Sequence, residues 1–186
     1  MPLIDVQGLT VRYPRSPRPA LTDVSFSVEQ GETLLLLGPS GSGKSTVGLC
    51  LAGLIPTSIP AALQGTILLE GNDAAELTVS ERTARFGIVF QDPESQFCML
   101  TVEDEVAFGL ENMAMPREEM TVRIDEALTL VGLADRRHER VDRLSGGQKQ
   151  RLVIASVLAR RPSVLFLDEP TANLDPATRE EFFGWL

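Results

Sequence analysis

Nine consecutive residues, Gly38, Pro39, Ser40, Gly41, Ser42, Gly43, Lys44, Ser45 and Thr46, combine spaced glycines with one lysine and a cluster of hydroxyls. A triphosphate needs several inward-pointing donors with no side chains in the way, and closely spaced glycines let successive backbone N–H groups curl around a phosphate. Lys44 then supplies a point charge for the β- and γ-phosphate oxygens, and Ser45 a hard oxygen suited to Mg²⁺. The loop must end a strand and open a helix, so that the helix N-terminus adds its positive end to the anion site. The flanks agree, because the apolar run Thr33 to Leu37 reads as a strand and Val47 to Leu54 as a helix. A glycine-rich turn with a solvated lysine would carry the same letters. The strand before it and the helix after it favour nucleotide binding.

A second chemical group lies at Val164-Leu165-Phe166-Leu167-Asp168-Glu169-Pro170. A continuous apolar run reads as a buried parallel strand, and acids at its carboxyl end stand at the edge where open α/β sheets bind ligands. Asp168 suits a direct or water-mediated contact to the Mg²⁺ that Ser45 holds. Glu169 suits a general base or a group that positions water. The third group is Ser145, Gly146, Gly147 and Gln148 at the head of a helical stretch, a second anion-receptive helix end. Two such devices in one chain are reconciled if the second serves a nucleotide held by another copy. A capped helix with a flexible entry is the simpler alternative.

The elements that must position these groups follow in chain order. Leu3 to Val11 and Ala20 to Glu29 alternate like strands around the proline-rich loop Tyr13 to Pro19, which indicates an antiparallel sheet before the phosphate loop. Tyr13 is either a ring that stacks on a base or an ordinary half-buried strand aromatic. Ile55 to Leu63 reads as a loop, Gly65 to Glu70 as a strand, Ser80 to Ala84 as a short helical turn and Phe86 to Phe90 as a strand that ends at Gln91. Thr101 to Asn112, Arg117 to Val131 and Gly147 to Arg160 fit helical spacing. The expected organisation is an α/β core over residues 1–94 and 144–186, with a helical subdomain inserted at 95–143.

With 186 residues, 43% of them hydrophobic, the chain has material for one substantial core. Apolar runs are a handful of residues, far from the roughly twenty of a membrane-spanning helix. The beginning of the chain lacks a basic start followed by an apolar stretch, and the reading is a cytoplasmic protein. Cys50 and Cys98 carry no metal-ligand spacing and read as reduced. A formal net charge of −9 argues against a broad nucleic-acid footprint.

In order and wording these groups resemble the ATP-binding subunits of ABC transporters. GPSGSGKST at Gly38 to Thr46 is similar to Walker A, Gln91 to the Q-loop glutamine, LSGGQ at Leu144 to Gln148 to the signature, VLFLDEP at Val164 to Pro170 to Walker B, and Ala172-Asn173-Leu174-Asp175 to the D-loop. The resemblance implies a P-loop NTPase of mainly parallel core sheet that binds ATP and Mg²⁺ and hydrolyses ATP. It implies a dimer with a second ATP-binding subunit, ATP lying between Walker A of one and LSGGQ of the other. It also implies integral membrane transport subunits as partners, a place on the inner face of the cell membrane, and no nucleic acid. Tyr13 would stack on adenine, and Gln91 would touch Mg²⁺ and take part in catalysis beside Glu169. The stretches Val89 to Phe97 and Thr101 to Gly109 resemble the energy-coupling-factor and cobalt/nickel uptake branch, which implies import of a vitamin or metal ion.

The family carries a γ-phosphate-contacting histidine downstream of the D-loop, whereas the one histidine here, His138, lies upstream of the signature among Arg136, Arg137, Glu139 and Arg140. The expectation is a solvated His138 and a chain that is a piece of a longer subunit. Phe182, Phe183, Trp185 and Leu186 are expected to seek a partner surface. Two other classes share part of the pattern: an ABC-type ATPase acting on nucleic acid or the ribosome, and a nucleotide-binding module that does not hydrolyse. The acidic balance and compact helical insert speak against the first, and phosphate release separates the second.

Overall fold

A computed structural model describes residues 1–171 together with Arg179, Phe182 and Gly184. The D-loop stretch, residues 172–175, lies outside the described residues. The chain divides into two compact units, Met1–Phe86 and Gly87–Leu186.

In the first unit, β1 (Ile4–Arg12), β2 (Leu21–Val28), β3 (Ala62–Leu69) and the short β4 (Asn72–Asp73) form an antiparallel sheet in the order β2-β1-β3-β4. The apolar residues of β1 change phase, with Ile4 and Val6 followed by Leu9 and Val11, yet all four are buried. Period-two alternation cannot do this without an extra residue. Both ladders of β1 shift register there, next to Gly8 at φ 60°, which is how a bulge returns the later residues to the core face. Each such side chain taken fully out of water contributes about 1.5–3 kcal/mol.

Helix α1 (Lys44–Leu51) follows the phosphate loop and buries Val47, Cys50 and Leu51. The stretch read as a loop after it contains a short helical segment, α2 (Leu54–Thr57), that buries Ile55. Helix α3 (Val79–Arg85) is started by a capping box between Thr78 and Glu81.

The expected strand at Thr33 to Leu37 is not formed. Residues 32–39 have no regular structure, and Leu34, Leu35 and Leu37 are 41%, 74% and 83% exposed. A continuous apolar run becomes a buried strand only where neighbours pair with it on both sides. The four-stranded sheet ends at β2 and β4, and neither pairs with this run.

In the second unit, β5 (Phe86–Val89) pairs with β6 (Val164–Leu167). Val89, Val153 and Val157 pack with Leu165, Leu167 and Phe97 beneath these strands. Helices α4 (Val102–Glu111), α5 (Arg117–Leu130) and α6 (Gly146–Leu158) share one apolar core that includes Val106, Leu110, Leu128 and Leu152. Phe182 belongs to that core and is fully buried, so it offers nothing to a partner, while Phe183, Trp185 and Leu186 lie outside the described residues. His138 is 85% exposed and meets Glu103 at 3.2 Å, while Arg137 reaches both Glu103 and Asp125. That pairing holds the Glu103 carboxyl below its usual range, chiefly through the Arg137 hydrogen bond.

Candidate functional site

The phosphate-loop residues lie together at the head of α1. Gly43 stands at the N-cap with φ 98° and an unused side-chain position. A Cβ there would come within 2.6 Å of Leu21 and 2.7 Å of the Ala20 carbonyl, so the start of β2 closes on the loop at a residue that has to be glycine. Lys44 Nζ donates to the carbonyls of Gly38 at 2.9 Å and Pro39 at 3.2 Å, and Ser42 N–H donates to the Pro39 carbonyl. The ammonium is thus folded over the loop it would share with a phosphate. Ser40 and Gly41 are exposed at the turn, and Ser45 opens the helix on its exposed side. Tyr13 is half-buried, and its hydroxyl lies 3.2 Å from Oγ1 of the buried Thr46, tying the end of β1 to the first turn of α1.

In the second unit, Gln91 and Glu169, 78 residues apart, meet directly. Gln91 Nε2 donates to Glu169 Oε2 at 2.9 Å. Asp168 N–H donates to the Val89 carbonyl at 2.9 Å, which brings the end of β6 alongside the end of β5. Asp168 is half-buried and Glu169 exposed. Glu169 holds φ 50°, a left-handed conformation that a non-glycine residue adopts at some strain, and such residues collect at functional sites.

Two residues that sequence reasoning missed position the stretch after Gln91. Gln96 accepts from Phe90 N–H at 2.8 Å through Oε1 and donates to the Ile88 carbonyl at 3.2 Å. Glu105, only 6% exposed, accepts from the N–H groups of Cys98 and Met99 at 2.9 and 2.8 Å. Its signal was present in the sequence, because Glu105 lies on the face of α4 that buries Val102 and Val106. Lys149 on α6 pairs with Glu94, fastening the same stretch to the helix of the glycine pair.

At the head of α6, Ser145 and Gln148 form a reciprocal cap. Gln148 N–H donates to Ser145 Oγ at 3.3 Å and Ser145 N–H to Gln148 Oε1 at 2.9 Å. Their side chains therefore complete the helix end, while a Cβ at Gly146 or Gly147 would meet nothing within 4 Å. The open ground at this helix end is over the two glycines.

A phosphate loop capped by an αL glycine, two acids after an apolar strand and a glycine pair opening a helix are features of a nucleotide-binding domain. A match to the ABC transporter family covers residues 21–172, and the chain belongs to that family. A protein of Pyrococcus abyssi provisionally named an ABC transporter ATP-binding protein is 51% identical over 181 residues, 97% of this chain and 65% of that protein. The energy-coupling factor transporter ATP-binding protein EcfA1 of Lacticaseibacillus paracasei is 49% identical over 182 residues, 98% of this chain and 64% of that protein. Among solved structures, CbiO1 of Clostridium perfringens, part of the ABC transporter complex cbiONQ, superposes with a TM-score of 0.80 at 34% identity, covering 99% of this chain and 72% of that one. The α/β P-loop NTPase class expected from the sequence is the fold of these relatives. The chain spans about two thirds of the length of the curated relatives it matches. Among the described residues no helix is long and apolar enough to cross a membrane.

Proposed function

We propose that this chain is the ATP-binding and hydrolysing part of a transporter that imports a vitamin or metal ion. It works as a dimer at the inner face of the membrane, bound to integral membrane subunits. The observation that supports the hydrolysing part of the reading is the hydrogen bond from Gln91 to Glu169 in a chain of this family, and the likeness to an energy-coupling factor protein and to CbiO1 supports the import part. The proposed roles follow from the chemistry of each group. Gly38 to Thr46 cradle the phosphates, Tyr13 stacks on adenine, and Ser145, Gly146, Gly147 and Gln148 face the partner's nucleotide. Ser45, Gln91 and Asp168 offer only oxygen ligands, the donor type Mg²⁺ selects, and a metal also held by phosphates needs few of them. When bound, Mg²⁺ would neutralise charge developing on the phosphoryl oxygens.

Glu169 Oε2 accepts from Gln91, which leaves Oε1 to take a proton from the attacking water. Gln91 thereby orients the carboxylate and couples it to the stretch that Gln96 and Glu105 hold. We propose residues 1–94 and 144–186 as the ATP-binding core and 95–143 as the helical part that docks on the membrane subunits.

The test is co-expression with membrane proteins encoded beside the gene, reconstitution in vesicles and assay of uptake. ATP-dependent accumulation of a vitamin or metal ion is expected. A complex that does not form, or uptake indifferent to ATP and to Lys44→Ala, overturns the reading.

A further inference from the structure

Helix α6 runs against the direction of β5. At one end a Cβ on Gly87 would come within 2.6 Å of Val157, and at the other Lys149 pairs with Glu94. Between these anchors Val153 and Val157 pack with Val89, Leu165 and Leu167, so this face of α6 lies on β5 and β6. Gln150 precedes Val153 by three residues and Val157 by seven, the spacing that puts all three on one face of a helix. A helix rises about 1.5 Å per residue and a strand about 3.3 Å, so the step back from Val157 to Gln150 spans about three residues of β5. Counted from Gly87, that brings Gln150 to the end of the strand, where Gln91 donates to Glu169.

Gln150 is 1% exposed, and neither its Oε1 nor its Nε2 has a hydrogen-bond partner among the described residues. Buried amides are normally satisfied, because an unmade hydrogen bond costs far more than an ordinary one contributes. The neighbouring buried positions of α6 are Leu152, Val153, Ile154, Ala155 and Val157, among which an apolar side chain of the same length would pack without that cost. By contrast, the other buried polar group of this unit, Glu105, accepts from two N–H groups. An unpaired amide beneath the end of β5 is therefore explained by a state of the protein in which a partner reaches it.

We propose that Gln150 is a positioning residue for Gln91 and Glu169: nucleotide binding draws that pair onto the buried amide and completes its hydrogen bonds. The inference rests on the reading above, in which Gln91 and Glu169 serve the bound nucleotide. The resting fold bears the unpaired amide and the bound state relieves it, so Gln150 adds to nucleotide affinity without touching nucleotide.

The test replaces Gln150 with Met, which keeps the length of the side chain and removes both polar atoms, and separately with Leu. Urea midpoints are measured with and without Mg²⁺ and a non-hydrolysable ATP analogue, and affinity is measured by calorimetry. Without nucleotide, Gln150→Met should have a midpoint equal to the parent's or higher. With nucleotide its midpoint should rise less than the parent's, and its affinity should be about three- to tenfold weaker. A residue that serves only the fold would lower the first midpoint and leave the affinity alone. In a Gln91→Ala/Glu169→Ala background, Gln150→Met should weaken binding no further, since the groups it positions are gone. Parental affinity in both Gln150 variants, a lower midpoint of both without nucleotide, or an equal loss of affinity in the double-alanine background would each overturn the inference. A parent chain that binds the analogue alongside variants that bind it equally well sinks this inference alone, whereas a parent that does not bind it overturns the proposed function as well.

Discussion

Gln91 Nε2 lies 2.9 Å from Glu169 Oε2, so the amide that ends one strand segment holds the carboxylate that follows another. Replacing Glu169 with Gln keeps an oxygen for Gln91 to donate to, and with it the local geometry, but removes the group that accepts a proton. Glu169→Gln is therefore expected to retain nucleotide affinity while turnover falls on the order of 10²–10⁴-fold, and to accumulate an ATP-bound dimer. Steady-state phosphate release and light scattering with Mg·ATP check both halves. Parental turnover would remove Glu169 from the base role.

Lys44 exchanges two carbonyl contacts, to Gly38 and Pro39, for phosphate oxygens when nucleotide enters. Hydrogen bonds to charged groups contribute about 1.5–3 kcal/mol, which converts to a loss of about 10- to 100-fold in affinity for Lys44→Ala. Calorimetry with Mg·ATP measures it. Unchanged affinity would sink the phosphate-loop assignment.

How much of this was legible beforehand depended on whether a local rule decided the outcome. The glycine turn that opens α1 is legible because glycine spacing and Lys44 act within a few residues of one another. The phase change between Val6 and Leu9 was likewise printed in the sequence, and the bulge beside Gly8 is its physical consequence. The run Thr33 to Leu37 departs from its expected strand, since apolar letters say what a segment would bury but not whether neighbours arrive to cover it. Glu105 is hidden from a local rule because an acid in the first turn of a helix usually faces water, and the two N–H groups of Cys98 and Met99 explain its burial. The letters alone send Phe182 to a partner surface, because the core it joins is built from α4, α5 and α6, distant in sequence. Pairings such as Gln91 with Glu169 are long-range, and the residue letters do not carry them.

Gly43→Ala tests the close approach of β2 to the phosphate loop. The new methyl would press on Leu21 and on the rigid Ala20 carbonyl, and φ 98° is unfavourable for alanine. The expected loss is about 1–3 kcal/mol of stability, read as a lower urea midpoint. Nucleotide affinity should fall with it, because moving β2 away displaces the loop. A midpoint equal to the parent's would show that the contact yields freely.

Cys50 and Cys98 offer a test of burial that does not involve nucleotide. Cys50 is 1% exposed in the core of the first unit, and burial pushes its thiol up from 9.0 to about 11, whereas Cys98 is exposed. A disulfide-exchange reagent at mildly alkaline pH should therefore label one thiol in the folded chain and two in urea, with Cys98→Ser abolishing the native reaction. The same shift sets a pH window. Below 9 the thiol is protonated in both states and contributes no slope. Between 9 and about 11 the unfolded chain releases the proton while the folded chain keeps it, so stability falls as pH rises, and the slope ends above that. Urea midpoints for the parent and for Cys50→Ala, followed from pH 8 upward, isolate this contribution from lysine and tyrosine titration. The parent should lose stability faster than the variant only above 9. Parallel curves, or rapid labelling of Cys50 in the folded chain, would show that the first unit does not exclude water at this residue.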